Sequence, residues 1–439
     1  MKRIEIPERE NWREAAESVG FGFHEMYGEP YWIDSAAYVF SLAEVEEAIE
    51  APSQELHDMC MDLVGDVVRD EQAMERLQVP EAMRDLVASS WQHGDKHLYG
   101  RFDLAYDGTG PAKLLEYNAD TPTSIFEAAF FQYNWLTDNV ARGTLPEDTD
   151  QYNSIQEALV EAFGAFSKEP IFHFAAWTES DEDRGTAAYL MDCAVQAGHR
   201  TSLLDIRDVG VDEKGRFTDT EDRVIDLLFK LYPWEDMLRE PFARYLSTAG
   251  ATIVEPAWKT ILSNKGILPL LWDRHAGHPN LLPAWFDDDA QAKTLKDAVR
   301  KPLFSREGEN VEVLKDGKSV EITEGSYRPR NANGRYSDEI TLAEAFAQSS
   351  NVAAVRLQQQ VGDAAVIAMA RELGITATLD EGDPSIALGT STMSLIELTA
   401  AYAGIAGNAY PVEPHAFRRE EQGWWDWLWN GPDSLGSGV

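Results

Sequence analysis

The stretch RFDLAYDGTGPAKLLEYNADTPTS, residues 101–124, decides how the rest of this chain is interpreted. Two short segments with the character of strands flank DGTG at 107–110, a sequence typical of a turn. The stretch therefore predicts a β-hairpin. In that hairpin four polar residues would meet at the strand ends, namely Arg101, Asp103, Glu116 and Asn118.

These four side chains predict a cation site next to an anion site. Two carboxylates and an amide oxygen can hold a hard cation, and Mg²⁺ takes oxygen ligands in this way. The guanidinium of Arg101 is a planar fork that suits an anion nearby. A solvated hairpin with a charged face accounts for the same spacing, so both interpretations stay open at this point.

The composition excludes several classes of protein. A length of 439 residues gives room for two or three domains, and the net charge of −38 argues against nucleic acid or an anionic membrane as a partner. Cys60 and Cys193 lie in apolar surroundings, which favours a reducing cytoplasm over a disulfide framework. The N-terminus shows no apolar signal-peptide region, and no run of about 18 apolar residues predicts a membrane span.

Short apolar runs alternate with helical stretches between residues 171 and 254, and this alternation predicts an α/β fold with a central sheet. We expect strands at 171–176, 202–206, 224–231 and 252–254, and helices at 184–197 and 235–248.

Residues 255–325 have the pattern of a flap that covers phosphate groups. Lys265 and Lys301 precede a glycine-containing loop, SREG at 305–308, and Asp316-Gly317 between two apolar runs predicts a hairpin. The backbone N–H groups and lysines of such a flap can face phosphate oxygens. Solvated surface lysines are the alternative interpretation.

The composition changes near residue 326. No lysine follows Lys318, and alanine and glutamine become frequent. Thr341 with Glu344 and Ser394 with Glu397 match the capping box, and each pair opens an alanine-rich stretch. We therefore expect a mainly helical C-terminal segment.

Residues 1–325 resemble the glutathionylspermidine synthase family, in its short members that carry only the synthetase part. The motifs that carry the resemblance occur in the family's order: GFHEMYGEPYW (22–32), RFDLAYDGTGPAKLLEYNADTPTS (101–124), FKLYPWE (229–235), EPAWKTILSNKGILPLLW (255–272) and KPLFSREGENV (301–311). The resemblance implies an ATP-grasp-type ligase core with a preceding α/β domain. It also implies a reaction in which ATP activates a carboxylate as an acyl phosphate and an amine then forms the amide.

The resemblance also assigns roles to the polar residues of the hairpin. Asp103, Glu116 and Asn118 match the family's Mg²⁺ ligands. Arg101 matches the residue that stabilises charge at the transferring phosphoryl group, a role that suits metal-assisted phosphoryl chemistry.

Further residues match the family's nucleotide and acid sites. Lys265 and Lys301 match the lysines that hold ATP phosphates, and Glu307 and Gly308 lie in the matching flap loop. Thr121 falls where the family contacts glutathione. The implied cofactors are ATP and Mg²⁺, and the implied partners are a small-molecule or peptide carboxylate and an amine such as a polyamine, without nucleic acid or membrane.

The chain departs from the family in three places. Leu231 follows Lys230 where bifunctional members have a threonine that helps to hold glutathione, so the acid substrate stays open. Nothing corresponds to the amidase domain of those members, and hydrolysis of the amide is not expected. After about Tyr327 the strands that close over adenine in the family are replaced by a different sequence.

Residues 328–439 resemble an internal segment of the transpeptidase domain of class A penicillin-binding proteins. The resemblance is carried by RPRNANGRYSDEITLAEAFAQSSNVAAVRL (328–357), ARELGI (370–375) and the stretch 384–417. Ser349-Ser350-Asn351 matches the S-x-N motif, but S-x-x-K would precede residue 328 and K-T-G would follow the tail. Because no lysine follows Lys318, we expect no transpeptidase activity.

The chain is therefore expected to have two regions: a ligase region at 1–325, truncated at its C-terminal end, and a penicillin-binding-protein-like fragment at 326–439. Two functions stay open. One is an ATP- and Mg²⁺-dependent acid–amine ligase, and the other is a hybrid that binds Mg²⁺ or substrate without turnover.

Overall fold

The computed structural model describes residues 1–26, 29–305, 308, 310–323, 341–377, 379, 384–388, 393–407, 409–412 and 433–434. The chain forms two compact units, Met1–Thr323 and Glu324–Val439, and each is described by itself.

The first unit mixes helices and strands. Its described strands are β1 Lys2–Glu5, β2 Glu25–Met26, β3 Glu29–Pro30, β4 Ala36–Val39, β5 Arg101–Ala105, β6 Lys113–Asn118, β7 Phe172–Ala176, β8 Thr201–Asp205, β9 Gly210–Val211, β10 Phe217–Thr218, β11 Leu227–Leu231, β12 Thr252–Val254, β13 Ala298–Arg300, β14 Val311–Lys315 and β15 Lys318–Thr323. Its described α-helices are α1 Trp12–Ser18, α2 Leu42–Val45, α3 Ala51–Val67, α4 Glu71–Arg76, α5 Arg84–Gln92, α6 Gln132–Ala141, α7 Ile155–Gly164, α8 Asp181–Gln196, α9 Trp234–Met237, α10 Lys259–Leu262 and α11 Ile267–Arg274.

A four-stranded parallel sheet forms the centre of this unit, in the order β12-β11-β7-β8. Every residue of β7 and β11 is buried, as expected for strands of a parallel sheet that is covered on both faces. The bounds of these strands lie within three residues of the predicted runs, and the α/β fold class is confirmed. The residues over 235–248 do not form the predicted single helix, because Pro241 has no N–H to donate and a separate 3-10 turn, Pro241–Tyr245, follows α9.

The predicted hairpin is present as β5 and β6. Its register places Arg101 opposite Asn118 and Asp103 opposite Glu116, with an irregularity directly after Asp103. The turn at 107–110 is stabilised by Asp107, whose side chain accepts hydrogen bonds from the backbone N–H and the hydroxyl of Thr109, each at 2.8 Å.

A second antiparallel sheet, in the order β13-β14-β15, contains the hairpin predicted at Asp316-Gly317. Both turn residues have positive φ, 50° and 72°, as a tight hairpin turn requires. Lys301 follows β13 directly, and the loop from Lys301 to β14 contains Gly308.

The second unit is mainly helical, as predicted. Its described elements are α12 Leu342–Ala347, α13 Asn351–Val361, α14 Asp363–Glu372, α15 Leu395–Gly407, β16 Ala409–Tyr410 and β17 Asp433–Ser434. Both capping boxes are confirmed. The N–H of Glu344 donates to the Thr341 hydroxyl and that of Glu397 to the Ser394 hydroxyl, each at 3.2 Å, and each glutamate carboxylate accepts the N–H of its cap residue.

A buried ion pair joins the end of the β5–β6 hairpin to the parallel sheet. Asp120, two residues after β6, pairs with the ammonium group of Lys230 on β11, and the two side chains are 2% and 0% exposed. The second carboxylate oxygen of Asp120 accepts the backbone N–H of Trp234 at 2.7 Å. The polar end of the hairpin is therefore fixed against the sheet by two contacts in the protein interior.

Replacement of one partner leaves the other charge buried without compensation. Lys230→Met should lower the free energy of unfolding by about 3–5 kcal/mol, measured by urea denaturation with tryptophan fluorescence. The double variant Asp120→Asn with Lys230→Met should recover most of this loss, because asparagine keeps an acceptor for Trp234 without a charge. Lys214→Met, at an exposed lysine, is the control. Equal midpoints for Lys230→Met and this control would contradict the role of the pair.

Candidate active site

The four polar residues of the hairpin lie together, as predicted, and contact each other in pairs. The guanidinium of Arg101 donates from Nε to Oδ1 of Asp103 at 2.7 Å and from Nη2 to Oδ2 at 3.2 Å. The amide nitrogen of Asn118 donates to Oε1 of Glu116 at 3.0 Å. Cross-strand pairing brings the two carboxylates to the same end of the hairpin.

Two lysines from distant segments complete this group. The Nζ atom of Lys265 lies 2.9 Å from Oε2 of Glu116 and donates to the backbone carbonyl of Ser305 at 2.7 Å. The Nζ atom of Lys301 donates to the carbonyl of Leu115 on β6 at 3.0 Å. Lysines 265 and 301, which the sequence suggested for phosphate binding, thus lie beside the residues suggested for Mg²⁺.

Local packing explains the position of Lys265. Its backbone N–H donates to the carbonyl of Leu303 at 3.0 Å. The side-chain amide of Asn264 donates to the Leu77 carbonyl at 2.7 Å and accepts the N–H of Gly266 at 2.8 Å. A Cβ atom at Gly266 would collide with the side chain of Leu77. The glycine of the SNKG sequence therefore allows this segment to pack closely beside the site.

The remaining predicted site residues are less closely tied to this group. Thr121 is half-buried in the bend after β6. Gly308 is exposed and has a φ of 77°, which a glycine adopts without strain. Glu307 lies outside the described residues. The roles assigned to these three residues stay predictions.

The charges of the site are mutually compensated. Burial alone would raise the pKa of Glu116, but hydrogen bonds from Lys265 and Asn118 and the charge of Lys265 outweigh it and hold the pKa below its usual value. Burial and the charge of Lys265 lower the pKa of Lys301, against the attraction of Glu116 and Asp103. The Glu116 carboxylate is therefore held in its ionised form beside the lysine.

The donor set is suitable for Mg²⁺. Asp103, Glu116 and Asn118 offer two carboxylates and an amide oxygen, and a cation with octahedral geometry takes its remaining ligands from water or phosphate. A cluster of three or more His, Cys, Asp or Glu residues that could hold a metal ion does not occur in the part of the chain that the structure describes. A metal held here would thus need Asn118 or a bound phosphate as a third ligand.

A second polar group close to the hairpin was not predicted from the sequence. The phenol of Tyr31 donates to Oε1 of Glu127 at 2.7 Å and lies 3.2 Å from the hydroxyl of Ser124. Tyr31 lies in the aromatic stretch 21–32, whose composition is typical of packing residues. Glu127 lies in an aromatic stretch that has no motif, so only its position shortly after NADTPTS could have pointed to it.

The fold and the site together define an α/β protein in which acidic hairpin residues, an arginine and two lysines meet. This combination can bind a cation and an anion side by side. The family model for the glutathionylspermidine synthase preATP-grasp domain matches residues 3–349. The chain belongs to this family.

Individual relatives agree with this assignment. A Haemophilus influenzae protein that carries the name acid–amine ligase is 39% identical over 331 residues, which cover 73% of this chain and 82% of that protein. The bifunctional glutathionylspermidine synthetase/amidase of Escherichia coli is 27% identical over 312 residues. That match covers 64% of this chain and 48% of the Escherichia coli protein, so the chain spans about half of its length.

The C-terminal part matches a different family. The penicillin binding protein transpeptidase domain model matches residues 309–429 and overlaps the first match. Penicillin-binding protein 2D of Bacillus subtilis is 34% identical over 138 residues, which cover 29% of this chain and 20% of that protein. The predicted resemblance of the C-terminal segment is thus confirmed. Within the described residues, no helix is long and apolar enough to cross a membrane.

The contact between Lys265 and Glu116 can be tested by titration. Lys265→Met removes a hydrogen bond and a positive charge that lower the pKa of Glu116, so the Glu116 carboxyl should titrate at a higher pH. Carboxyl ¹³C NMR, with Glu116→Gln for assignment, measures this midpoint. Lys214→Met, far from any predicted site residue in sequence, should leave it unchanged. An unaltered midpoint in Lys265→Met would show that the two groups do not interact in solution.

Proposed function

We propose that the chain is an ATP- and Mg²⁺-dependent acid–amine ligase that works through an acyl phosphate. The observation that carries the proposal is the meeting of the Asp103–Glu116 hairpin with Lys265 and Lys301 in a chain of the glutathionylspermidine synthase preATP-grasp family. Metal ligands and phosphate-binding cations come from separate segments of the chain, and both are needed beside a nucleotide.

In this proposal Asp103, Glu116 and Asn118 would hold Mg²⁺, and the metal would supply positive charge next to the phosphate oxygens of ATP. Lys265 leaves Glu116 for a phosphate when the nucleotide enters, and Lys301 binds the same phosphates. The flap loop with Glu307 and Gly308 covers them through its backbone N–H groups.

Arg101 is the proposed catalytic residue of the phosphoryl transfer. An oxygen of the substrate carboxylate attacks the terminal phosphorus of ATP, the bond from that phosphorus to the bridging oxygen breaks, and ADP leaves. The guanidinium stabilises the charge that develops on the transferring group. The amine nitrogen then attacks the carbonyl carbon, phosphate leaves with the bonding electron pair, and the nitrogen loses a proton.

The substrates we propose are a small-molecule or peptide carboxylate, held near Thr121, and an amine. Because relatives are named as glutathionylspermidine synthetases, glutathione and spermidine are the first pair to assay. We also assign residues 1–325 to the ligase region, 326–439 to the transpeptidase-like fragment and the protein to the cytoplasm. The boundary between the two compact units at Thr323 supports the first two assignments.

Phosphate release in the presence of ATP, Mg²⁺, glutathione and spermidine tests the ligase. Asp103→Ala should lower the rate by at least about 100-fold, because it removes a proposed ligand of the Mg²⁺ that would stabilise the charge on the transferring group. Glu161→Gln, an exposed carboxylate on α7, should keep the wild-type rate. Release that needs neither substrate, or that survives Asp103→Ala, would contradict the proposal.

The second candidate is a hybrid that binds ligand without turnover. It is favoured by the transpeptidase match, which begins at residue 309, inside the predicted flap region. Calorimetry with a non-hydrolysable ATP analogue and Mg²⁺ separates the two functions. Binding of the analogue with no phosphate release from ATP would support the hybrid, and binding with release would support the ligase.

Transpeptidase chemistry should be absent. The nucleophilic serine of that family acts with a lysine, and the chain has none after Lys318. A fluorescent penicillin should therefore fail to label the protein in a denaturing gel, beside an active penicillin-binding protein as positive control. A covalent band at the mass of this chain would overturn the expectation.

A further inference from the structure

The carboxylate of Glu127 is buried next to the candidate site and has one free oxygen. The residue is only 7% exposed, and its Oε1 atom accepts the hydrogen bond from Tyr31. The Oε2 atom is buried and has no hydrogen-bond partner among the residues that the structure describes. A buried carboxylate oxygen without a partner costs free energy, so a ligand that supplies an N–H would relieve this cost.

A short series of contacts connects Glu127 to the hairpin. The Arg101 guanidinium donates to the carbonyl of Thr123 at 3.3 Å, and the next residue, Ser124, lies 3.2 Å from the phenol that binds Glu127. Glu127 itself opens a π-helical turn, Glu127–Phe131. The carboxylate of Glu127 is thus linked to Arg101 through Tyr31 and the adjacent residues Thr123 and Ser124.

The charges around Glu127 favour a cationic ligand over an anionic one. Burial is the largest influence and raises the pKa of Glu127, and Glu182, in the first turn of α8, raises it further. The hydrogen bond from Tyr31 and the charge of Arg101 lower it. Arg101 already pairs with Asp103. An incoming anion would therefore face two carboxylates. A polyamine whose attacking nitrogen is neutral would be attracted by both through its other, protonated nitrogens.

We propose that Glu127 is the general base that accepts the proton of the attacking amine, with Tyr31 holding its carboxylate in place. This inference rests on the proposed ligase function. The amine nitrogen donates an N–H to Oε2, its lone pair forms the C–N bond, and the C–O bond to phosphate breaks. One N–H proton passes to the Glu127 carboxylate, and phosphate leaves with the electron pair. Tyr31 is 37% exposed, so an amine can reach this side chain, which contacts the Glu127 carboxylate directly.

Hydroxylamine separates the base from a structural role, because it is unprotonated at neutral pH and attacks acyl phosphates without a base. In Glu127→Gln, amide formation with spermidine should fall by at least about 100-fold, the scale of general base catalysis. Hydroxamate formation from ATP, glutathione and hydroxylamine should stay close to the wild-type rate. Equal loss of both products would overturn the inference and indicate a structural residue. Glu161→Gln should form both products at the wild-type rate.

The pH dependence gives a second readout. Glu127 must be ionised to act as a base, so amide formation rises with pH through its raised pKa. Tyr31→Phe removes a hydrogen bond that lowers this pKa, and the rising limb should move to higher pH. If Glu127→Gln does not fold, the pH profile of Tyr31→Phe tests the inference by itself. An unshifted limb in Tyr31→Phe would overturn the inference.

Failure of the inference can be distinguished from failure of the proposed function. If the wild-type chain forms neither hydroxamate nor amide, the ligase function fails, and calorimetric binding of spermidine then tests by itself the contact between the amine and Glu127. Loss of one hydrogen bond to a charged group should weaken spermidine binding about tenfold in Glu127→Gln. Equal affinity of the two proteins for spermidine would overturn the inference, whether or not the chain turns over.

Discussion

The buried pair of Asp120 and Lys230 is the constraint on which the candidate site depends. It joins the polar end of an antiparallel hairpin to the central strand of a parallel sheet, with both charges closed to solvent. Any movement of the hairpin end away from the sheet would separate two charges in the protein interior, which is costly. The residues just before Asp120 are therefore held in position before any ligand arrives, and such pre-organisation is what a site for charged substrates requires.

The charges of the candidate site are also paired, but these ion pairs can open when a ligand binds. Arg101 covers Asp103 and Lys265 covers Glu116, and both contacts are partly exposed to solvent. A dication with a polyphosphate brings both signs of charge at once, so it can exchange partners with each pair and leave the net balance similar. The pair of Asp120 and Lys230 lies in the interior and contributes to stability. The pairs of the site are partly exposed and can exchange their partners for a ligand.

The hairpin could be predicted because its strands alternate, its turn has Asp and Gly, and its polar residues stand at the strand ends. The pairing of Lys265 with Glu116 is a tertiary contact, and only the family resemblance suggested that the two lie near each other. Glu127 was missed because a polar residue in a helical aromatic stretch usually faces solvent, and Tyr31 because it stands among aromatic residues that are typical of packing. The helix expected at 235–248 failed at Pro241, where the missing N–H outweighs the helical pattern.

The contact from Lys301 to Leu115 joins residues that are 186 positions apart. Contacts over such separations form only after most of the intervening chain has collapsed, because closing a long loop costs entropy that short-range structure does not repay. The hairpin can form through local contacts, whereas Lys265 and Lys301 contact it only late in folding. During synthesis the acidic half of the site emerges first, so the growing chain carries exposed carboxylates until the segment with residues 264–305 has left the ribosome.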